Sequence, residues 1–187
     1  MIFHSLNSYS YSYLTTMTSD KLYFYSKSKD VYPGKGTNEY VEDTIKYSAL
    51  SKVKDWRKTL SNFHFEPFKY NGYTWNTIEH VFQSKKIQLV DPEKAKLFTI
   101  ESGNEIGKGD GLIARKNRKL VKLSKEQLNE WSKIKNKVLF EAAFEKYKQS
   151  ESSAYILKST NDAELWHIVM RGKPERFTHL EKVRSMI

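Results

Sequence analysis

The amino-acid chain has 187 residues and contains no cysteine. This composition excludes disulfide-stapled scaffolds, cysteine-ligated zinc sites, iron–sulfur clusters and thiol nucleophiles. Because none of these can hold the chain together, its stability has to come from a hydrophobic core. A chain of this length can bury a sizeable core within one compact domain, and we do not expect two full domains.

The first 19 residues, MIFHSLNSYSYSYLTTMTS, carry no formal side-chain charge and are interrupted throughout by Ser, Thr and Tyr. They provide neither the basic start nor the continuous apolar stretch of a secretory signal. No part of the sequence approaches the roughly 18 consecutive apolar residues that a membrane span requires. We therefore predict a flexible tail over residues 1–20, one domain over residues 21–187, and an intracellular, cytoplasmic protein with no membrane partner.

Lysine and arginine residues number 32 and acidic residues 22, which gives a formal net charge of +10. This excess favours an anionic partner, such as a nucleic acid, a nucleotide diphosphate or an anionic surface, although lysines also keep an ordinary domain in solution. The densest basic run, RKNRKLVKLSK at residues 115–125, contains no aromatic residue. It therefore lacks the stacking surface of a single-strand-binding groove, but its charges could contact phosphates.

Two segments have the composition of strands. LYFYS at residues 22–26 is rich in aromatic residues and predicts a short strand. LSNFHFEPFKYNGYTW at residues 60–75 contains alternating aromatic residues and the dipeptide Asn71-Gly72. Asn-Gly between such runs is a strong signal for a hairpin turn.

The segment DVYPGKGTNEYV at residues 30–41 is interrupted by Pro33, Gly34 and Gly36 and predicts a loop. Its GKGT sequence is not a phosphate-binding P-loop, because that motif requires Gly, four residues, and then Gly-Lys-Ser/Thr. Two interpretations stay open for this loop, namely an ordinary surface loop and a mobile basic lid.

Three segments predict helices. One begins near Asn76, directly after the hairpin. The second starts at the capping-box pair Ser124 and Gln127, carries apolar residues at helical spacing and runs to about Tyr147. A shorter helix is predicted over residues 151–158. Because helices dominate and strands are few, we predict an α+β fold, a mainly helical single domain with a small antiparallel sheet or hairpin.

The segment NTIEHVFQSKKI at residues 76–87 places three polar side chains together. At about 100° per residue, Glu79, Gln83 and Lys86 fall within a stripe roughly 60° wide. A carboxylate beside an ammonium at the edge of a buried surface can have the shifted pKa that proton transfer requires. Two structural explanations compete: Asn76 and Glu79 fit a capping box, and a Glu seven residues before a Lys is common on solvated helices.

The same segment resembles the NADAR superfamily, which includes the YbiA-like N-glycosidases. Members of that family carry a sequence like LSNF, then a short aromatic hairpin, and then a helix with the pattern T-[VI]-E-H-x-x-Q-x-x-K. This chain has LSNFHFEPFKYNGYTWNTIEHVFQSKK there. EQLNEWSKIKNKVLFEAAFEKY and LKSTNDAELWH resemble later stretches of the family, so the resemblance covers about residues 22–184.

The resemblance implies an α+β domain that hydrolyses the N-glycosidic bond of an ADP-ribosyl substrate, such as ADP-ribosylated guanine, or of a ribosylamine from the riboflavin pathway. No cofactor is implied. By resemblance, Glu79 would be the catalytic acid or base and Lys86 its partner at the ribose, either as a covalent imine or through its charge. By the same resemblance, Asn62 and Phe63 would line the pocket. Their own positions make His80, Gln83, Trp166 and Arg171 further substrate-binding candidates.

The carboxyl-terminal part departs from the bacterial members, which carry a Glu and then an Asp…Trp-Gly segment. This chain has AELWHIVMRGKPERF, with Trp166-His167 and Arg171-Gly172. His167 is a third candidate catalytic residue, as a proton donor, or else a packed histidine at the end of a buried helix. Arg171 could clamp a diphosphate or form a surface salt bridge, and Trp166 could contact the ligand or the core.

The histidines offer no metal site, because they are scattered and no His-Glu-x-x-His spacing occurs. His80 could border the pocket from the side or be structural. Two other functions remain alternatives to the glycosidase. One is a non-catalytic module that binds NAD or ADP-ribose, and the other is a basic nucleic-acid-binding protein that uses residues 115–125.

Overall fold

The computed structural model describes residues 19–187. Most of the predicted tail at residues 1–20 therefore lies outside the described residues. The strands are β1 (Lys21–Phe24), β2 (Phe68–Tyr70), β3 (Tyr73–Trp75), β4 (Glu164–His167) and β5 (Glu175–Arg176). The α-helices are α1 (Ser48–Ser51), α2 (Trp56–Thr59), α3 (Ile78–Gln88), α4 (Pro92–Lys96), α5 (Glu105–Lys108), α6 (Gly111–Lys116), α7 (Lys125–Gln149), α8 (Glu151–Lys158) and α9 (Thr178–Arg184). Short 3₁₀ helices cover Thr44–Tyr47, Ile100–Ser102 and Asn117–Lys119.

Three strands form a mixed sheet in the order β1-β4-β5. β1 lies parallel to β4, with Leu22 opposite Leu165 and Phe24 opposite His167, while β5 runs antiparallel to β4. The sheet thus joins the start of the described chain to its end. Because parallel strands require a long connection, no local turn signal in the sequence reveals this pairing.

β2 and β3 form the predicted hairpin, with Phe68 opposite Trp75. Asn71 and Gly72 both have positive φ, of 51° and 79°. A two-residue turn with positive φ at both positions matches the twist of its strands, and Asn-Gly adopts it readily. The hairpin leads through Asn76 and Thr77 into α3, and Thr77 is the N-cap of that helix.

The long helix α7 packs against α3, α9 and β2. It begins with the predicted capping box: Ser124 accepts a hydrogen bond from the backbone N–H of Gln127, whose side chain accepts one from Ser124. The core around it contains buried apolar side chains that include Leu22, Trp56, Leu60, Ile78, Ala142 and Leu157. Among the described helices, none combines the length and the apolar character needed to cross a membrane.

Candidate functional site

A cavity of about 510 Å³ opens at the carboxyl ends of β1 and β4, where α3, α6 and α7 meet the sheet. Ligands of parallel sheets bind beyond the carboxyl ends of the strands, and this volume is typical of a small-molecule site. Four residues named in the sequence analysis line the cavity: Asn62, Phe63, Glu79 and His167.

Glu79 lies in the first turn of α3 and is 7% exposed, yet its side chain lines the cavity. Its carboxylate accepts a hydrogen bond of 2.8 Å from the Gln83 side chain. Burial raises the pKa of Glu79 to about 7, although Gln83 and the charges of Arg115, Arg118 and Lys86 oppose this shift. Such a carboxyl group is partly protonated at neutral pH and can both donate and accept a proton.

The helix cap does not use Glu79. The N-cap of α3 is Thr77, whose hydroxyl accepts a hydrogen bond from the backbone N–H of His80. Asn76 instead donates to the carbonyl oxygens of Gly107 and Gly109, which tie α3 to the end of α5. The capping-box explanation was therefore wrong, because the Asn76 side chain bonds α5 and not the first turn of α3. The Glu79 carboxylate does not close the helix and lines the cavity.

Two acceptor atoms beside Glu79 have no hydrogen-bond partner within residues 19–187. They are the buried side-chain oxygens of Asn62 and Gln83. Asn62 is also fixed by its backbone, because its carbonyl accepts the N–H of Glu79 at 3.0 Å. Buried polar atoms are usually satisfied, and Asn62 lines the cavity, so its oxygen indicates a place for a donor from a ligand or from water.

Lys86 lies on α3 seven residues after Glu79 and is partly buried. It does not belong to the residues that line the cavity. The structure connects it with the site through electrostatics, because its charge lowers the pKa of Glu79. Gln83 is likewise absent from the cavity wall but contacts Glu79 directly.

His80 is fully buried and held on both sides of its ring. Nδ1 lies 2.8 Å from the Thr77 hydroxyl and Nε2 lies 2.9 Å from the Ile106 carbonyl oxygen. Burial lowers its pKa. The structure places His80 outside the cavity, where it joins α3 to the start of α5.

His167 is the last residue of β4 and not the end of a helix, so that structural expectation was wrong. Its ring stacks on Phe177 at a centroid distance of 4.8 Å and lines the cavity. Burial, with a smaller effect of the Arg115 charge, lowers the pKa of His167 to about 4. The imidazole is therefore uncharged at neutral pH.

Trp166 and Arg171 do not line the cavity. Successive strand side chains point to opposite faces, so Trp166 leaves β4 on the other side from His167. There it stacks on Tyr23 at 6.1 Å and donates a hydrogen bond to Glu164. Arg171 is exposed and has a positive φ of 61° in the turn after β4.

Arg115 opens the basic run at residues 115–125 but was not among the predicted site residues. Arg115 lies in the last turn of α6, lines the cavity, and holds its guanidinium carbon 5.8 Å from the centroid of the Phe63 ring. Gly111 allows α6 to approach Phe63 closely, since a Cβ at this position would lie only 2.7 Å from the Phe63 backbone. Lys135 of α7 also lines the cavity and was not predicted as a site residue.

The part of the chain that the structure describes contains no group of three or more His, Asp or Glu side chains placed to hold a metal ion.

Comparison with known proteins gives two results. Residues 40–171 match the NADAR domain family. The NMR structure of the E. coli protein YbiA has a similar fold, with a TM-score of 0.56 and 22% sequence identity over 71% of this chain and 79% of that chain. No curated protein matches the sequence. Because this match covers more than half of the residues of the chain, the chain belongs to the NADAR domain family.

Proposed function

We propose that this chain is an N-glycosidase that hydrolyses the bond between a ribosyl carbon and a base nitrogen. The substrate is an ADP-ribosyl compound, such as ADP-ribosylated guanine, or a ribosylamine of the riboflavin pathway. Membership of the NADAR family, which is associated with N-glycosidase activity, supports the reaction class. The observation that carries the proposal is the buried Glu79 carboxyl group, which lines the cavity with a pKa of about 7.

Hydrolysis of a ribosyl C–N bond requires one proton to be given and one to be taken. As the bond breaks, both electrons move to the base nitrogen, which is protonated, and positive charge develops at C1 of the sugar. Water then attacks C1 and loses a proton. Protonated Glu79 can supply the first proton, and the resulting carboxylate can stabilise the charged sugar and accept the proton of water.

His167 has a different part in this proposal. With a pKa near 4 it carries no acidic proton to donate at neutral pH. We propose that neutral His167 and the unpaired oxygen of Asn62 form hydrogen bonds to the ligand. Phe63 and the guanidinium of Arg115 offer flat surfaces for the base.

Lys86 is proposed to act through its charge on Glu79, since it lies outside the cavity wall. The alternative is an imine between its amine and C1 of the opened sugar, formed with loss of water. Lys86→Arg separates the two, because arginine keeps the charge but forms no such imine. Retained activity in Lys86→Arg supports the electrostatic role, whereas loss of activity with a borohydride-trapped adduct in the native chain supports the imine.

The deciding experiment is mass spectrometry of the small molecules that the purified protein releases. The substrate panel contains guanine-ADP-ribosylated DNA, NAD and the riboflavin-pathway ribosylamines. Release of ADP-ribose or ribose phosphate by the native chain, but not by Glu79→Gln, supports the proposal. The matched control is Glu105→Gln, which changes an exposed carboxylate on α5. ADP-ribose binding without release from any substrate favours the non-catalytic module instead.

The basic run favours a substrate carried on nucleic acid. Arg115 lines the cavity, and the charge of Arg118 reaches Glu79, so residues 115–125 extend from the site along the surface. We propose that this run contacts phosphates on either side of the modified nucleotide. Binding to DNA should weaken steeply with salt in the native chain and less steeply in Arg118→Ala/Lys119→Ala. A salt dependence equal in both proteins contradicts this contact.

A further inference from the structure

Two of the apolar side chains that line the cavity are largely exposed. Leu112 on α6 is 49% exposed, and Met170, in the turn after β4, is 75% exposed. Neither side chain belongs to the hydrophobic core of residues 19–187. Single exposed apolar residues are common on protein surfaces, but these two come from different elements and border one cavity. They form an apolar rim that a bound partner can cover.

Both side chains of this rim are presented by ordered backbone. The N–H of Leu112 donates to the carboxylate of Asp110, the N-cap of α6, at 2.9 Å. Met170 lies within the turn at residues 169–172, whose ends are joined by a hydrogen bond of 3.1 Å from the N–H of Gly172. Because the backbone is already fixed, contact with a partner costs less conformational entropy.

The two segments that carry the rim are basic. Residues 111–119 contain four exposed cations and no carboxylate, and residues 168–173 contain two more exposed cations: Arg115, Lys116, Arg118, Lys119, Arg171 and Lys173. None of these forms a salt bridge within residues 19–187. Apolar side chains among unpaired cations match a polyanion that also carries flat apolar groups, which is the chemistry of a nucleic-acid strand.

A nucleic-acid substrate has to open in order to react at this cavity. Glu79 is 7% exposed, so the ribosyl–base bond has to enter the cavity to reach its carboxyl group. A nucleotide within a strand can enter only by leaving its base stack, which uncovers the faces of the two bases beside it. Proteins that separate stacked bases commonly place apolar side chains against those faces.

We propose that Leu112 and Met170 contact the uncovered bases next to the modified nucleotide while that nucleotide occupies the cavity. The exposed cations of residues 115–119 and 171–173 bind the phosphates of the same strand. The inference rests on the proposed function and assigns it a substrate carried on a nucleic-acid strand, because a free ribosylamine has no neighbouring bases. It also gives Arg171, which lies outside the cavity wall, a contact with the substrate.

A comparison of two probes separates the rim from the cavity itself. The probes are a single-stranded DNA oligonucleotide with one ADP-ribosylated guanine and free ADP-ribose, at one fixed salt concentration, with Glu79→Gln in every protein to prevent turnover. The variant is Leu112→Ala/Met170→Ala. The control, Leu128→Ala/Met186→Ala, truncates the same residue types at positions that are 48% and 54% exposed and do not line the cavity. We expect the variant to bind the oligonucleotide about tenfold more weakly than the control does, and ADP-ribose within about twofold of it.

A second variant, Leu112→Met/Met170→Leu, keeps the apolar surface and should keep the oligonucleotide affinity. Thermal unfolding verifies that each variant is folded. Equal oligonucleotide affinities in the alanine variant and the control overturn the inference, and so does an equal loss of affinity for both probes. Binding of the native chain to phosphatidylserine vesicles, but not to the oligonucleotide, also overturns it and assigns the rim to a membrane surface.

The released-product assay with Glu79→Gln is independent of this result. A chain that hydrolyses a ribosylamine through Glu79, but whose rim variant and control bind the oligonucleotide equally, retains the proposed glycosidase function and loses the strand contact. A chain that releases no product from any substrate, but whose rim variant loses oligonucleotide affinity alone, loses the glycosidase function and retains the strand contact.

Discussion

Glu39 and Glu79 are both buried glutamates, but their surroundings are opposite. The Glu39 side chain is 0% exposed, forms a salt bridge of 2.8 Å with Arg57, and accepts three backbone N–H groups. Glu79 accepts one side-chain hydrogen bond, from the neutral amide of Gln83, and forms no salt bridge within residues 19–187. One carboxylate is fully paired, and the other has a raised pKa.

This difference is one of charge compensation. Burial of a carboxylate is tolerated when a cation and several N–H groups replace the water that it loses. Glu39 meets that condition and fixes the loop around it. Glu79 does not, so its proton is held more tightly, and the free-energy cost of burying its charge raises its pKa to about 7.

The largest expected effect comes from removing the proton of Glu79. Glu79→Gln keeps the size of the side chain and its contact with Gln83, but it cannot transfer a proton. We expect the rate of N-glycoside hydrolysis to fall by about 10²–10⁴, the usual range for a lost general acid or base. The measurement is the initial rate on whichever substrate of the panel the native chain cleaves.

Thermal unfolding provides the control for that variant. Because an amide buried beside Gln83 carries no charge, we expect Glu79→Gln to unfold at the same or a higher temperature than the native chain at pH 8. A variant with native stability and native rate removes Glu79 from the mechanism.

The Glu39 side of the comparison predicts a loss of stability. Glu39→Ala leaves the Arg57 guanidinium, 3% exposed, without its counter-charge. Breaking a buried pair on one side should lower the free energy of unfolding by about 3–5 kcal/mol. Urea unfolding measures it, with Glu93→Ala as the control, because Glu93 is 80% exposed in its pair with Lys96 and contributes about 1 kcal/mol or less. Equal losses in both variants contradict the structural role of Glu39.

The two glutamates also differ in how well the sequence revealed them. Glu79 lies in a helix that follows an Asn-Gly hairpin, and local spacing was enough to place it beside Gln83. The Glu39–Arg57 pair joins a Gly-rich loop to a short helix 18 residues later, and no periodic pattern relates the two. Arg57 lies three residues before the LSNF motif, and nothing in that segment points to a partner in the loop.

The same distinction between local and long-range information explains the site residues that the structure did not bring together. Trp166 and His167 are adjacent, and the alternation of side chains in a strand sends only His167 to the cavity. That alternation was available in principle, but the strand partners of this segment are β1, at the other end of the described chain, and the two-residue strand β5, and neither is marked by a local turn signal. Arg115 and Lys135 reach the cavity through the packing of α6 and α7, which the sequence does not specify.

The pH dependence of stability offers a smaller, more specific test. The pKa of Glu79 is about 7 in the folded chain against an ordinary value of 4.5. A raised pKa means that the folded chain binds the proton more tightly, so this contribution is fully present below pH 4.5 and is lost as the pH rises through 7. Relative to Glu79→Gln, the native chain should therefore lose about 3 kcal/mol of unfolding free energy across this window.

Urea unfolding of both proteins at a series of pH values checks this result. Glu105→Gln is the control, because its carboxylate is exposed and should leave a nearly constant difference. The unfolding free energies of the native chain and Glu79→Gln could also differ by a constant amount at every pH. In that case, the folded chain holds the Glu79 proton no more tightly than the unfolded chain does.

The smallest expected effect comes from Arg115. Its charge acts on Glu79 as that of Arg57 acts on Glu39, but more weakly. Its charge opposes the raised pKa of Glu79 without forming a salt bridge, and the side chain is exposed and therefore partly screened. Arg115→Ala should raise the pKa of Glu79 further and move the matching limb of the pH–rate profile upward by less than about one unit. Arg115→Lys keeps the charge and should keep the profile. If both variants shift the profile equally, Arg115 affects Glu79 through its shape and its contact with Phe63, and not through its charge.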